Sequence, residues 1–199
     1  MKQLRLALAL LALASGAGFG NAALASAAVT ETDKAFVREM PIHHVMAIEM
    51  GKLAVQEADH KTIFTMGRNI VKAQRREITR LRSIANRLGV SPPAAHDHEE
   101  MMRDLEILGV TTRQAGMNMT MDDLYGAEPF DRVFIDKMIP HHQGAIRMAR
   151  AELRAGKVRA LREIAKAILT TQSKEIRLMN KCRKSWFGRP SPAGGVPKD

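Results

Sequence analysis

The feature that most constrains the fold of this chain is an internal duplication. Residues Asp33 to Leu81 align without a gap on Asp131 to Met179, at an offset of 98 residues. Identity at one fixed offset indicates two copies of a supersecondary unit. The identical pairs are Phe36/Phe134, Met40/Met138, His43/His141, His44/His142, Ala47/Ala145, Ile48/Ile146, Met50/Met148, Ile70/Ile168, Gln74/Gln172, Glu77/Glu175 and Ile78/Ile176.

The shared positions recur at the spacing of a helix face. At about 100° per residue, Phe36, Met40, His43, Ala47 and Met50 fall within an arc of roughly 80°. Each copy is therefore predicted to be a helical hairpin. The predicted helices cover 32–58 and 61–89 in the first repeat (32–89), and 129–155 and 157–186 in the second (129–187). Because neither hairpin alone buries its apolar stripe, we expect an all-α fold, a four-helix bundle of two duplicated hairpins.

The ends of these helices carry residues that favour starts and stops. Asp33 and Asp131 are expected at the N-cap or in the first turn, where a carboxylate stabilises the helix start. Gly89 and Gly156 are expected to end helices. The predicted hairpin boundaries therefore agree with the local chemistry.

A proline lies inside the first helix of each repeat, within two residues of the His-His pair. Pro41 and Pro140 could mark later helix starts, or they could kink continuous helices. The stripe stays in phase across each proline, from Phe36 and Met40 to His43 and from Phe134 and Met138 to His141, so the kinked helix is favoured.

Two segments lie outside the repeats. The Met-rich connector over 90–128 begins after Gly89 with a Pro-Pro pair, and a short helix is expected near 98–108. The tail over 188–199 is rich in proline and glycine and is expected to be disordered.

The N-terminus has the pattern of a secretory signal peptide. A basic start precedes the apolar run LALALLALA, and small residues then offer cleavage near Ala25 to Ala28. The apolar run is shorter than the roughly 20 residues needed to span a bilayer. We therefore expect segment 1–27 to be removed and the protein to be periplasmic, without stable membrane insertion. Although the net charge is +10, nucleic acid is not an expected partner in that compartment.

The second repeat contains FIDKMIPHHQGAIRMA over Phe134 to Ala149, followed by Gln172-x-x-Glu175-Ile176. These strings resemble the signature of the bacterial domain-of-unknown-function family 305. The first repeat is similar, with the proline one residue earlier. The resemblance implies a ferritin-like helical bundle and, for some exported members, copper or silver binding.

Histidines and methionines form the candidate metal ligands. Thioether and imidazole together are a soft ligand set that suits Cu(I) and Ag(I). An exported protein also has reason to use methionine, because thiols oxidise to disulfides in the periplasm. The candidate ligands in the helices are His43, His44, Met40, Met46, Met50, His141, His142, Met138 and Met148.

The same residues have a structural alternative. Methionine readily fills irregular cores, and a buried histidine can be satisfied by Gln74 or Glu77 on the neighbouring helix. Glu77 and Glu175 are expected to hold imidazole tautomers rather than to bind metal. Duplication of the Met–His–Met arrangement favours a metal role for His43 and His141.

Alternating methionines also occur in the connector, at Met117, Met119 and Met121. No hydrophobic face is expected to require them in a loop, so we interpret them as further soft-metal ligands. A short strand is the alternative explanation of the alternation.

An enzymatic function has less support. A di-iron site of a helical bundle needs two Glu-x-x-His motifs and two further carboxylates. Only Glu57 to His60 matches, and the second repeat has Ala155 and Val158 at the equivalent positions. A ferritin-like metal-dependent oxidoreductase and a cationic protein that interacts with the cell envelope remain the alternatives.

The sequence thus predicts an exported, non-enzymatic protein that binds copper, as Cu(I) or Cu(II), or silver. Its expected role is metal storage, buffering or delivery, with metal ions and a copper-handling protein as partners.

Overall fold

The computed structural model describes residues 28–91 and 97–198, so the predicted signal peptide over 1–27 lies outside the described residues. The described residues form helices and no strand. Helices α1 (Glu31–Glu57) and α2 (Lys61–Leu88) form the first hairpin, and α5 (Phe130–Ala155) and α6 (Arg159–Phe187) form the second. The connector contains α3 (His98–Ile107), α4 (Thr112–Ala115) and one 3-10 turn (Asp122–Leu124).

The all-α prediction and the two long hairpins are confirmed. Both prolines lie within continuous helices, Pro41 in α1 and Pro140 in α5, so neither marks a helix start. Gly89 ends α2 in the left-handed conformation, with φ at 64°, where glycine carries no side-chain penalty. Among the described residues, no helix combines the length and apolarity needed to cross a membrane.

The two hairpins cap each other's second helices. The Asp33 carboxylate, near the start of α1, accepts hydrogen bonds from the backbone N–H groups of Lys157 and Val158 before α6. Asp131, near the start of α5, accepts the equivalent bonds from Asp59 and His60 before α2. Each aspartate therefore stabilises a helix start in the other repeat as well as its own.

The core consists of two clusters of buried apolar side chains. The first core cluster contains Phe36 and Met40 of α1 with Met148 of α5. The second contains the duplicated counterparts Phe134 and Met138 of α5 with Met50 of α1. Since α1 and α5 each pass from one cluster to the other, the residues between those positions lie at the junction of the clusters.

The tail departs from the sequence prediction. Residues 188–198 lie against α5 and α6, because side chains of both helices donate to tail carbonyls. The Gln143 amide donates to Ala193 and Gly195 at 2.8 and 2.7 Å, and the Asn180 amide donates to Gly194 at 2.7 Å. The expected disorder of this segment is therefore wrong for residues 188–198. The composition of the tail could not predict this order, because it does not show that side chains of distant helices donate hydrogen bonds to the tail.

Candidate metal centre

The two central histidines of the repeats meet at the junction of the core clusters. The ring centroids of His43 and His141 are 3.7 Å apart, with the ring planes 35° apart, and both side chains are fully buried. His44 and His142 are also fully buried and flank the pair, with centroids 6.2 and 6.4 Å from their neighbours in sequence. The duplication thus places four imidazoles in one buried group.

Burial keeps the central pair uncharged. Loss of solvent is the main cause that lowers the pKa of His43 to about 3, and the nearby His44 and His142 lower it further. Burial also lowers the pKa of His141 well below its usual range, with His43 as the next cause. Both rings are therefore neutral at physiological pH, and neutral imidazole is the form that binds a metal.

The central rings retain free nitrogen atoms. Nε2 of His43 donates to the Ala115 carbonyl at 3.0 Å, which leaves a lone pair on Nδ1. That Nδ1 and both ring nitrogens of His141 are buried without a hydrogen-bond partner. An unsatisfied buried polar atom costs about 1–3 kcal/mol, so three of them in one group call for an explanation.

The outer histidines are held by carboxylates, as the sequence suggested. Nε2 of His44 donates to Glu77 at 2.7 Å, and Nε2 of His142 donates to Glu175 at 2.7 Å. Each bond selects the tautomer with a lone pair on Nδ1, and each Nδ1 is buried and unpartnered.

The helix methionines lie in the core on both sides of the histidine pair. Met40, Met50, Met138 and Met148 are fully buried, and each core cluster contains two of these four, one from each repeat. Met46 is only half-buried and lies outside both clusters. Packing alone would thus account for four of the five methionines in the helices that are candidate ligands, whatever their metal role.

The connector methionines are less exposed than the sequence analysis predicted. Met117, Met119 and Met121 are half-buried, whereas the residues between them are exposed. Met117 packs on the first core cluster, and Met119 and Met121 pack on the second. The expectation that no hydrophobic face requires them is therefore wrong, and no strand forms in this part of the described chain.

Helix α4 covers the histidine pair from the connector side, a contact the sequence analysis missed. A Cβ atom on Gly144 of α5 would lie 1.8 Å from the Ala115 carbonyl oxygen, and one on Gly116 would lie 2.7 Å from the His141 Cα. Only glycine permits this approach. The sequence does contain one indication of this contact. Gly144, a glycine inside a predicted helix, stands where the first repeat has Met46.

Carboxylates and thiols do not complete a metal site here. Within residues 28–91 and 97–198, no three His, Cys, Asp or Glu side chains are grouped so that they could hold a metal ion. The single cysteine, Cys182, is buried in the second core cluster. Any metal bound by the histidine pair would need further ligands of another type, such as thioethers.

Solved structures share this fold. CopM in its Cu(I)-bound form has a TM-score of 0.66 and 30% identity, over 78% of this chain and 98% of that one. CopM in an Ag-bound form, obtained by co-crystallisation, has a TM-score of 0.64 and 31% identity over 78% and 98%. A DUF305 protein from Streptomyces coelicolor has a TM-score of 0.65 at 21% identity, over 80% and 96%, which shows the fold alone.

A comparison with curated proteins gives no match. The family model described as Domain of unknown function (DUF305) matches residues 33–183, a span that contains nearly all of both hairpins, the whole connector and all four buried histidines. The match thus covers most of the chain and the whole of the histidine group, and the protein belongs to the DUF305 family.

Proposed function

We propose that this protein binds Cu(I) or Ag(I) at the His43–His141 pair. The observation that carries the proposal is the set of three buried, unpartnered nitrogen atoms on two neutral rings in contact. Nδ1 of His43 and one ring nitrogen of His141 carry lone pairs that a metal ion accepts, and the third nitrogen is the N–H of His141. A purely structural histidine would be expected to have hydrogen-bond partners.

The preference for a soft metal follows from the surrounding side chains. Met40 and Met138 stand one helical turn before the two histidines, and thioether sulfur favours Cu(I) and Ag(I) over Mg²⁺ or Ca²⁺. The similarity to CopM, which has been solved with Cu(I), Cu(II) and Ag, supports the same metals. The remaining helix methionines and the connector methionines are further candidate ligands.

We further propose a non-catalytic role in the storage, buffering or delivery of the metal after export to the periplasm. Delivery would require a copper-handling protein as partner. A di-iron oxidoreductase is less consistent with the geometry, because His60 of the Glu-x-x-His motif binds Asp131 at 2.7 Å and stacks on Trp186.

Metal retention tests the proposal. Protein lacking residues 1–27 is loaded separately with Cu(I), Ag(I) and Zn(II), dialysed, and analysed for bound metal. We expect retention of Cu(I) and Ag(I) but not Zn(II), and at least a tenfold loss of Cu(I) affinity in His43→Ala/His141→Ala.

The control variant is His98→Ala, which removes an exposed histidine outside the site. Equal retention of zinc would contradict the proposed binding of soft metals, and unchanged Cu(I) affinity in a folded double variant would show that the histidine pair is structural.

A further inference from the structure

The seam between α2 and α6 contains a second duplicated set of polar residues that the proposed metal site does not use. A cavity of about 10 Å³ lies there, lined on the two helices by equivalent residues. Its polar lining includes Gln74 and Glu77 of α2 with Gln172 and Glu175 of α6. That volume is about the smallest that holds one water molecule, so the cavity accommodates a single small species.

The two glutamines are the unusual part of this lining. Each is only 3% exposed, and neither Oε1 atom has a hydrogen-bond partner. Two buried acceptors without donors are costly in a static core. They become useful if a cation passes between them, because amide oxygens can replace part of its hydration shell.

The seam leads directly to the histidine group. Glu77 and Glu175, which line the cavity, also hold His44 and His142 at 2.7 Å. Their side chains are 19% and 18% exposed, whereas the histidines they hold are fully buried. The carboxylates are therefore the solvent-facing end of a polar path that ends at the buried rings.

The outer end of this path is open to solvent. A groove of about 440 Å³ lies beside the cavity between the same two helices. Glu175 lines both the groove and the cavity, and the groove also contains Met66, Asn69 and Thr65. The opposite face of the histidine pair is covered by α4, whose backbone leaves no space even for a Cβ atom at Gly144.

We infer that the α2–α6 seam is the entrance through which a soft monovalent cation reaches the histidine pair. Gln74 and Gln172 replace its water, and Glu77 and Glu175 attract it in a protein of net positive charge. This inference rests on the proposed function, but it concerns the rate of metal uptake rather than the ligands that retain the metal.

Uptake kinetics separate the two roles. Cu(I) is supplied as its coloured bicinchoninate complex, and stopped-flow absorbance follows transfer to the apo protein. Gln74→Leu/Gln172→Leu is compared with the wild type and with Gln56→Leu, an exposed control on α1. We expect uptake at least tenfold slower in the double variant, with final stoichiometry and Kd changed less than twofold.

The apo melting temperature gives a second readout. Removal of two unpartnered acceptors is expected to leave it unchanged or to raise it. If the double variant does not fold, the single Gln172→Leu variant takes its place in the same comparison, with slower uptake expected.

Different failures have different signatures. Uptake at the wild-type rate in a folded Leu variant would exclude the seam while leaving the metal site intact. A loss of equilibrium affinity equal to the loss of rate would show that the glutamines are ligands instead. Wild-type protein that takes up no Cu(I) at all would overturn the proposed function itself.

Discussion

The two repeats place the same side chains in the same core, yet their surroundings differ. Both hold an outer histidine by a glutamate at 2.7 Å. In the centre, however, His43 donates to Ala115 of α4, whereas His141 has no hydrogen-bond partner on either nitrogen. The duplicated residues thus build a symmetric group, and the connector between the repeats makes it asymmetric.

The asymmetry begins in single residues of the repeats. Gly144 stands where the first repeat has Met46, and it allows α4 to rest on α5. Glu152 stands where the first repeat has Ala54, and both residues are fully buried. The two repeats therefore differ at positions 46/144 and 54/152, although the histidines and many core residues are the same.

The largest expected effect tests the symmetry of the cores. Met40→Ala and Met138→Ala should each lower the free energy of unfolding by about 2–5 kcal/mol, because each leaves a cavity in an equivalent cluster. Chemical denaturation of the two apo variants measures the losses. Values that differ by more than about 2 kcal/mol would show that the two core clusters are not energetically equivalent.

The next effect tests the asymmetry at α4. Gly144→Ala should destabilise the apo protein by about 1–3 kcal/mol, because its Cβ would overlap the Ala115 carbonyl. Hydrogen exchange should show faster exchange over residues 112–117. The matched control is Met46→Ala at the equivalent, half-buried position of α1. If Gly144→Ala exchanged like the control, α4 would not be fixed by this contact.

A third effect concerns the buried carboxyl group of Glu152, which stands where the first repeat has Ala54. Burial, and then the neighbouring Asp33 carboxylate, raise the pKa of Glu152 from 4.5 to about 8. Between these pH values the folded state binds a proton that the unfolded state releases, so stability falls as pH rises. The slope from this group is at most about 1.4 kcal/mol per pH unit.

Glu152→Gln, which cannot titrate, should flatten that part of the stability curve. Denaturant unfolding from pH 5 to pH 8 measures the slope, with the exposed Glu163→Gln as control. An unchanged slope in Glu152→Gln would mean that other groups dominate the pH dependence.

The smallest stability effect is expected in the connector. Isoleucine at positions 117, 119 and 121 keeps the apolar contacts of half-buried side chains, so the apo protein should lose less than about 1.5 kcal/mol. If these methionines bind metal, Cu(I) stoichiometry should fall. Metal analysis measures the loss of binding, and the apo melting temperature measures the loss of packing. Full Cu(I) stoichiometry with unchanged affinity would show that the three connector methionines are not metal ligands.

Much of the fold could be predicted from the sequence because helical periodicity is local. The stripe through Phe36, Met40 and His43 defines a buried face, and its repetition 98 residues later defines a second. The burial of His43 and His141, which lie on that face, follows from the pattern, and Glu77 and Glu175 were expected to hold imidazoles. The periodicity did not predict which ring atoms would remain unpartnered.

The connector and the tail required contacts between distant segments. Half-burial of Met117, Met119 and Met121 depends on two core clusters that no local pattern in the loop reveals. The order of residues 188–198 likewise depends on donors from Gln143 and Asn180. Local composition predicted an exposed loop in the connector and a disordered tail, because it describes residue types and not the residues that they contact.

The sequence by itself determined the helices, the duplicated hairpins and the set of soft side chains, since each depends on residue type and spacing along one chain segment. Only the packed structure shows that the rings of His43 and His141 lie 3.7 Å apart, that α4 covers one side of them, and that Gln74 and Gln172 line one cavity between α2 and α6. These features depend on how closely separate helices approach. That approach is set by packing of the whole core and not by any one stretch of sequence.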